Sequence, residues 1–282
     1  MPSKNVLISA YDVAVPALIY GTAWKKEATA KWVQQAIESG FRGIDTACQP
    51  KHYNEAGVGA GIANCIGNGI DRADLYLQTK YTSINGHDPL RVPYDSKVSL
   101  SEQVTQSCQV SLANLQTSYL DCLLLHSPLA DQQQMLEVWR AMESLYYSDE
   151  VKQLGLCNCY DAQQFEWLYH AVDIKPAVIQ NRFYADTHYD QKIRSFCQQH
   201  NVIYQSFWTL TANPGILADK LVQELAEKYQ CSAAQLFFRY LTQIGIVPLT
   251  GTTSVTHMLE DLAIFSLQLT ASECKAVASL LV

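Results

Sequence analysis

The chain has 282 residues, 48% of them hydrophobic, and a net charge of −7, enough apolar material for one large buried core and no basic face of the kind that binds nucleic acid. No apolar run is long enough for a membrane span or, near the start, for a signal peptide. The nine cysteines are odd in number and dispersed, so they read as reduced thiols packed as small apolar groups, and the expected setting is cytoplasmic.

Strand-like and helix-like segments alternate along the whole chain. Leu18-Ile19-Tyr20 reads as a strand closed by Gly21, and the next helix sets Ala30, Val33, Ala36 and Ile37 on one face before Gly40 stops it. Phe41 to Ala47 is the second strand, Glu55 to Ile66 a short helix, and Leu75 to Tyr81 the third strand. A loop rich in Gly, Asp and Pro, Asn85 to Asp95, leads to a helix carrying Val104, Cys108, Leu112 and Leu115 at helical spacing. Tyr119 to His126 has the continuous apolar run of a buried strand. A helix from Met135 to Tyr147 and a strand from Val151 to Asn158 follow, then a helix opened by Asp161 and Gln164 as a capping box. Ala177 to Phe183, Gln191 to Gln199 and Val202 to Phe207 read as strand, helix and strand. A helix with Leu221, Leu225 and Tyr229, the strand Gly245 to Leu249, and helices near Val255–Ile264 and Ala271–Leu280 complete the pattern, with Thr270 and Glu273 as a second capping box.

Eight strands, each followed by helix, with no linker or shift in composition, predict a single (β/α)8 TIM barrel over residues 1–282. A doubly wound sheet would want a glycine-rich phosphate turn after its first strand. Gly57-Val58-Gly59-Ala60-Gly61 has neither that spacing nor that context, and reads as a place where helices pack closely.

Barrels of this kind carry their chemistry at the carboxyl ends of the strands, and three strand-like runs here end on one polar residue each: Asp45, Lys80 and His126. Each has an ordinary reading: a turn or cap for Asp45, a solvated strand end for Lys80, a hydrogen-bonded core histidine for His126, plain packing for Tyr53. Together they make a reactive set. A lysine buried in a dry barrel needs a carboxylate partner, and Asp45 lies on the adjoining strand. An ammonium near the Tyr53 phenol is expected to lower its pKa from about 10, suiting it to give a proton to a carbonyl oxygen, while a neutral His126 imidazole orients that carbonyl.

Over nearly its whole length the chain resembles the aldo-keto reductase superfamily. The resemblance rests on Gly40-Phe41-Arg42-Gly43-Ile44-Asp45-Thr46-Ala47, Tyr53-Asn54-Glu55, Leu77-Gln78-Thr79-Lys80, Tyr119-Leu120-Asp121 and Leu124-Leu125-His126-Ser127-Pro128, and continues through Gly155-Leu156-Cys157-Asn158, Ile179-Gln180-Asn181 and Glu260-Asp261-Leu262. It implies a (β/α)8 barrel that reduces aldehydes or ketones with NAD(P)H, and a tetrad of Asp45, Tyr53, Lys80 and His126. It further implies cofactor contacts from Thr22, Cys157, Asn158, Gln180, Gln205, the segment Gly251-Thr252-Thr253-Ser254, His257 and Asp261. Tyr20, Trp24 and Trp208 are candidates for an apolar substrate pocket.

The chain departs from the family pattern in four places. The family's tyrosine stands five residues after the aspartate, but that position is Pro50; two net inserted residues precede Tyr53, with His52 as the fallback proton donor. Cys157 replaces the usual serine beside the asparagine. Alignment through Ser206 puts Gln205 where an aromatic ring commonly faces the nicotinamide, with Tyr204 or Trp208 as substitutes. His257 matches the arginine that holds the adenosine 2′-phosphate, which removes a bidentate contact and implies weakened discrimination, with NADPH preferred and NADH possible. A small-molecule carbonyl is the expected partner. Nothing fixes the oligomeric state, and a monomer suffices. The competing reading is a family-like regulatory or cofactor-binding subunit with little turnover. A metal-dependent hydrolase would need His and carboxylate spacings that are missing.

Overall fold

The structure, a computed structural model, describes residues 5–281. A short antiparallel hairpin comes first, β1 (Val6–Ile8) with β2 (Ala14–Pro16), paired Val6 to Pro16 and Ile8 to Ala14. Eight parallel strands then close into a barrel: β3 (Ile19–Gly21), β4 (Gly43–Asp45), β5 (Tyr76–Tyr81), β6 (Cys122–Leu125), β7 (Leu154–Cys157), β8 (Val178–Arg182), β9 (Ile203–Phe207) and β10 (Val247–Thr250), with β10 pairing back onto β3. This is the (β/α)8 architecture expected from the alternation, with each predicted strand at its predicted place.

The helices lie between successive strands. They are α1 (Thr29–Ser39), α2 (Glu55–Gly67), α3 (Leu100–Leu115), α4 (Gln132–Tyr147), α5 (Ala162–Ala171) and α6 (Gln191–His200), then α7 (Pro214–Ala218), α8 (Lys220–Lys228) and α9 (Ala233–Gln243) together between β9 and β10, and finally α10 (Val255–Ala263) and α11 (Ala271–Ala278). Gly40 ends α1 at φ 119°, a backbone conformation that glycine adopts without strain. The glycine run at the start of α2 is a packing device, as its spacing suggests. A Cβ on Gly61 would stand 2.6 Å from the Ala30 carbonyl, and one on Gly59 would collide with the Asn114 carbonyl, so α2 lies flush against both α1 and α3. Thr270 and Glu273 form the reciprocal capping box at α11. At α5 only half of the expected box exists: Asp161 accepts from the Gln163 and Gln164 amides, while the Gln164 side chain reaches the Leu129 carbonyl instead.

The hairpin β1–β2 and the helices α7 and α9 have no counterpart in the sequence reading. The hairpin β1–β2 is too short to show periodicity, and its Val13 and Val15 pack with Ile19, Tyr76, Cys122, Val178 and Ile203 inside the amino-terminal end of the barrel. Helix α9 did carry a signal: Ser232 and Gln235 form a capping box, and Leu236, Phe237, Tyr240 and Leu241 fall at helical spacing and are buried.

Candidate active site at the carboxyl end of the barrel

The alternation of a strand decides what the barrel interior contains. Asp45 ends β4 opposite Gln78 on β5, and Lys80 lies two residues on, so all three point inward. Lys80 Nζ donates to both Asp45 carboxylate oxygens at 2.7 Å and to the Thr46 carbonyl at 2.8 Å. Both side chains are almost fully buried, a situation that demands full pairing. Burial, the largest single influence, pulls the lysine pKa down; the Asp45 charge and hydrogen bond, joined by Tyr53 and Cys157, together outweigh it and hold the ammonium above its ordinary value. Asp45 Oδ1 also accepts from Gln78 Nε2 (2.7 Å) and Gln180 Nε2 (2.9 Å), and both amides donate to Gln205 Oε1 at 2.9 Å. A layer of three glutamines thus fixes the carboxylate from below.

The inserted loop before Tyr53 is built rather than loose. Gln49 Nε2 donates to the Gly86 carbonyl (2.7 Å), its Oε1 accepts the His52 amide (3.1 Å), and its carbonyl accepts the Tyr53 amide (3.1 Å). Just after the tyrosine, Asn54 caps α2 by accepting from Gly57, and buried Glu55 accepts from Thr79 and Ser111. The loop delivers Tyr53 over the ion pair, with Lys80 Nζ 5.4 Å from its ring centre and the His126 ring 6.0 Å away, edge-on. The expected lowering of the phenol pKa is reversed. Burial raises it, Lys80 pulls it down, Asp45 pushes back, and the net value is about 12; the paired carboxylate cancels much of the lysine's influence. His52 sits at the rim, its ring 4.0 Å from that of Trp24.

His126 follows β6. The Thr82 hydroxyl lies 2.7 Å from its Nδ1, and burial, reinforced by Lys80, drives its pKa well below the ordinary value, so the ring is neutral. Asn158, in the left-handed region at φ 55°, ties the next strand end to it by donating to the His126 carbonyl at 2.9 Å. Cys157 donates weakly to Gln180 Oε1 at 3.5 Å.

A cavity of about 900 Å3 opens above these groups. It brings together Asp45, Tyr53 and His126 with Thr22, Trp24, Cys157, Asn158, Gln180, Trp208, Gly251, Thr252, His257 and Asp261; Lys80 lies beneath. A slightly larger cavity of about 970 Å3 on the opposite face, beside the hairpin, contains none of the tetrad. Several expected residues fall elsewhere. Tyr20 is not a pocket residue: it faces outward, packs on Phe41 at 5.6 Å and donates its hydroxyl to the Thr252 carbonyl. Gln205 does not line the cavity but belongs to the glutamine layer, and Tyr204 is turned out of the barrel, donating to Asp190 at 2.9 Å. The period of β9 explains both placements. Residues 203, 205 and 207 face in, so Phe207, one layer nearer the mouth than Gln205, is the strand's aromatic cavity residue. Thr253 and Ser254 do not line the cavity; Ser254 caps α10 by accepting the His257 amide.

Sequence reasoning missed Phe207, Arg182 at the end of β8, and Lys25. Lys25 is buried, donates to the Gly251 carbonyl at 2.8 Å, and has its pKa lowered to about 8 by burial. Among the described residues no group of three or more His, Cys, Asp or Glu could hold a metal ion, and no helix is long and apolar enough to cross a membrane.

A family model described as the Aldo/keto reductase family matches residues 17–282. The chain is 30% identical over 249 residues, 88% of its own length and 82% of the relative's, to the uncharacterized oxidoreductase YtbE of Bacillus subtilis. It is 28% identical, with the same coverage, to glyoxal reductase of the same organism. Among solved structures, an aldo/keto reductase from Brucella melitensis superposes with a TM-score of 0.83 at 26% identity, covering 98% of both chains.

Proposed function

The chain belongs to the aldo/keto reductase family of oxidoreductases, and from that premise we propose that it reduces aldehydes or ketones to alcohols, with Tyr53 as proton donor. The observation that carries the proposal is the stacking of groups at the cavity floor: a fully paired Asp45–Lys80 couple, with Tyr53 above it and a neutral His126 beside it.

A nicotinamide dinucleotide suits the donors on offer. Gln180 has its Nε2 occupied but its Oε1 engaged only by a thiol, and Asn158 lies beside it, so an amide face is available at one end of the cavity. Phe207 offers a flat apolar surface nearby. At the other end are Gly251, Thr252, His257 and Asp261, with the Lys25 amine outside the lining, donating to the Gly251 carbonyl. We propose NADPH as the preferred form, as is typical of the family, with NADH accepted because His257 brings less charge than a guanidinium and Glu260 and Asp261 line the same end.

When bound, the nicotinamide supplies hydride to the carbonyl carbon. The protein's own groups hold everything else. With a pKa of about 12, Tyr53 keeps its proton at neutral pH and can release it to the oxygen as negative charge develops there. Lys80 stabilises the phenolate left behind, and Asp45 with its glutamine layer fixes Lys80 in place. Neutral His126, its Nδ1 matched to Thr82, presents Nε2 to the carbonyl oxygen without adding a competing charge.

The test is turnover of NADPH with a reactive aromatic aldehyde, comparing the native chain with Tyr53→Phe. Loss of roughly two to four orders of magnitude in kcat is expected for a missing general acid. Equal rates would remove Tyr53 from the chemistry, and no turnover by the native chain would favour a regulatory subunit.

A further inference from the structure

We propose that Arg182 is a carboxylate anchor, and that the substrates of this site are carbonyl compounds bearing a carboxylate at the end remote from the reacting carbon. The proposal rests on the reductase reading above and narrows it to a substrate class.

Arg182 ends β8 two residues beyond Gln180, so it faces the same interior one layer nearer the mouth, where it lines the cavity with Trp24, His52 and Trp208. Its guanidinium carbon lies 4.0 Å from the centre of the Trp208 ring and 5.2 Å from that of Tyr184. Stacking engages the face of the guanidinium and leaves its in-plane N–H groups for other partners.

Those partners are missing. Of the five half-buried arginines, Arg42 donates to the Ile37 and Phe41 carbonyls, Arg72 to Asp121, Arg194 to the Tyr189 carbonyl and Arg239 to Gln268. Among the described residues the Arg182 side chain makes no hydrogen bond and no ion pair, and its Nε is buried without a partner. The Nε of Arg239 is unmatched in the same way, but Arg239 spends an Nη on Gln268, whereas neither Nη of Arg182 is engaged or buried, and these are the donors left for a ligand in the cavity. The carboxylates of the cavity are not candidates: Asp45 is committed to Lys80, and Glu260 with Asp261 belongs to the end formed by α10. A guanidinium preset by an aromatic shelf matches a planar carboxylate through two parallel N–H donors. Trp24 and Trp208, 60% and 52% exposed, offer apolar surface for the body of such a molecule.

The test compares benzaldehyde with 4-carboxybenzaldehyde as substrates for the native chain, Arg182→Met and Arg182→Lys. Arg182→Met should lower kcat/KM for the acid roughly 10- to 100-fold, the worth of a charge-assisted hydrogen bond, mainly through KM, and leave the neutral aldehyde within about twofold. Arg182→Lys should recover part of the loss. Binding of 4-(hydroxymethyl)benzoate, followed by quenching of tryptophan fluorescence, reads the same preference without turnover. An equal loss for both aldehydes, a higher KM for NADPH with the acid-to-neutral ratio unchanged, or no carboxylate binding by the native chain would each overturn the proposal. Selective carboxylate binding without turnover of either aldehyde would sink the reductase reading and leave the anchor standing; turnover without selectivity would do the reverse.

Discussion

Lys80 and Asp45 form a two-pronged ion pair, one ammonium 2.7 Å from both carboxylate oxygens, at the floor of the cavity and under the ring of Tyr53. Each is there only because the other is. Removing one member leaves an unmatched charge in a dry barrel, so Lys80→Met and Asp45→Asn should each abolish reduction, and Lys80→Met should cost about 3–5 kcal/mol in urea unfolding. The double variant Asp45→Asn, Lys80→Met should lose less stability than the two single losses added together. Strict additivity would show that the two do not act as a pair.

With Tyr53 as the proposed proton donor, the pH dependence is expected to follow its phenol. Its pKa is about 12, so the phenol is protonated throughout the neutral range, and His126 is already neutral there. Reduction uses the protonated phenol and should be level from about pH 6 to about pH 9, whereas alcohol oxidation needs the phenolate and should rise roughly tenfold per pH unit over the same span. Steady-state rates in both directions check this. A fall in reduction near neutrality would assign the proton to another group, with His52 the nearest alternative.

Gln205 and Phe207 are two residues apart on β9 and should fail in different ways. Gln205→Ala strips the shared acceptor from Gln78 and Gln180; a loss of about 1–3 kcal/mol of stability is expected for unmatched buried donors, with cofactor affinity within about twofold of native. Phe207→Ala should weaken cofactor binding roughly tenfold, the scale of a lost aromatic contact and its buried area, with a small effect on Tm. Fluorescence titration and thermal melts on both variants decide it; the opposite pattern would remove Phe207 from the cofactor surface.

What the sequence made legible follows from how each signal is encoded. Strand order and the inward-facing Asp45, Lys80 and His126 were readable because each lies in or directly after a continuous apolar run, where alternation leaves little freedom. The loop before Tyr53 was readable in outcome but not in cause: the tie from Gln49 to Gly86 joins residues 37 positions apart, which no local pattern reports. Tyr20 misled because an aromatic residue near a strand end suits either face, and only the pairing with β4 and β10 turns it outward. Gln205 misled because an alignment anchored on Ser206 is blind to the two-residue period of β9, which turns residues 205 and 207 inward and sets Phe207 one layer nearer the mouth. The phenol pKa moves opposite to the expectation from Lys80 because burial, which sequence does not report, dominates it.

Asp261 offers a test of the cofactor end that needs no substrate. It lies buried on α10, accepts from the Thr250 hydroxyl at 2.7 Å, and burial raises its pKa from 3.8 to about 6 against the opposing effects of Thr250 and His257. A carboxyl with a raised folded-state pKa favours the folded chain fully below pH 3.8, and that contribution is lost as pH rises through about 6. The ionised form therefore costs on the order of 2–3 kcal/mol above that point. Asp261→Asn keeps the shape and an acceptor for Thr250 while removing the charge. Its Tm should exceed the native value at about pH 7.5, and the difference should close as the native carboxyl takes up its proton near pH 4. A difference that is constant with pH would mean that Asp261 is not the group being titrated. Cofactor affinity measured on the same variant separates the two roles: if Asp261 also contacts the adenosine end, binding weakens even as the empty protein becomes more stable.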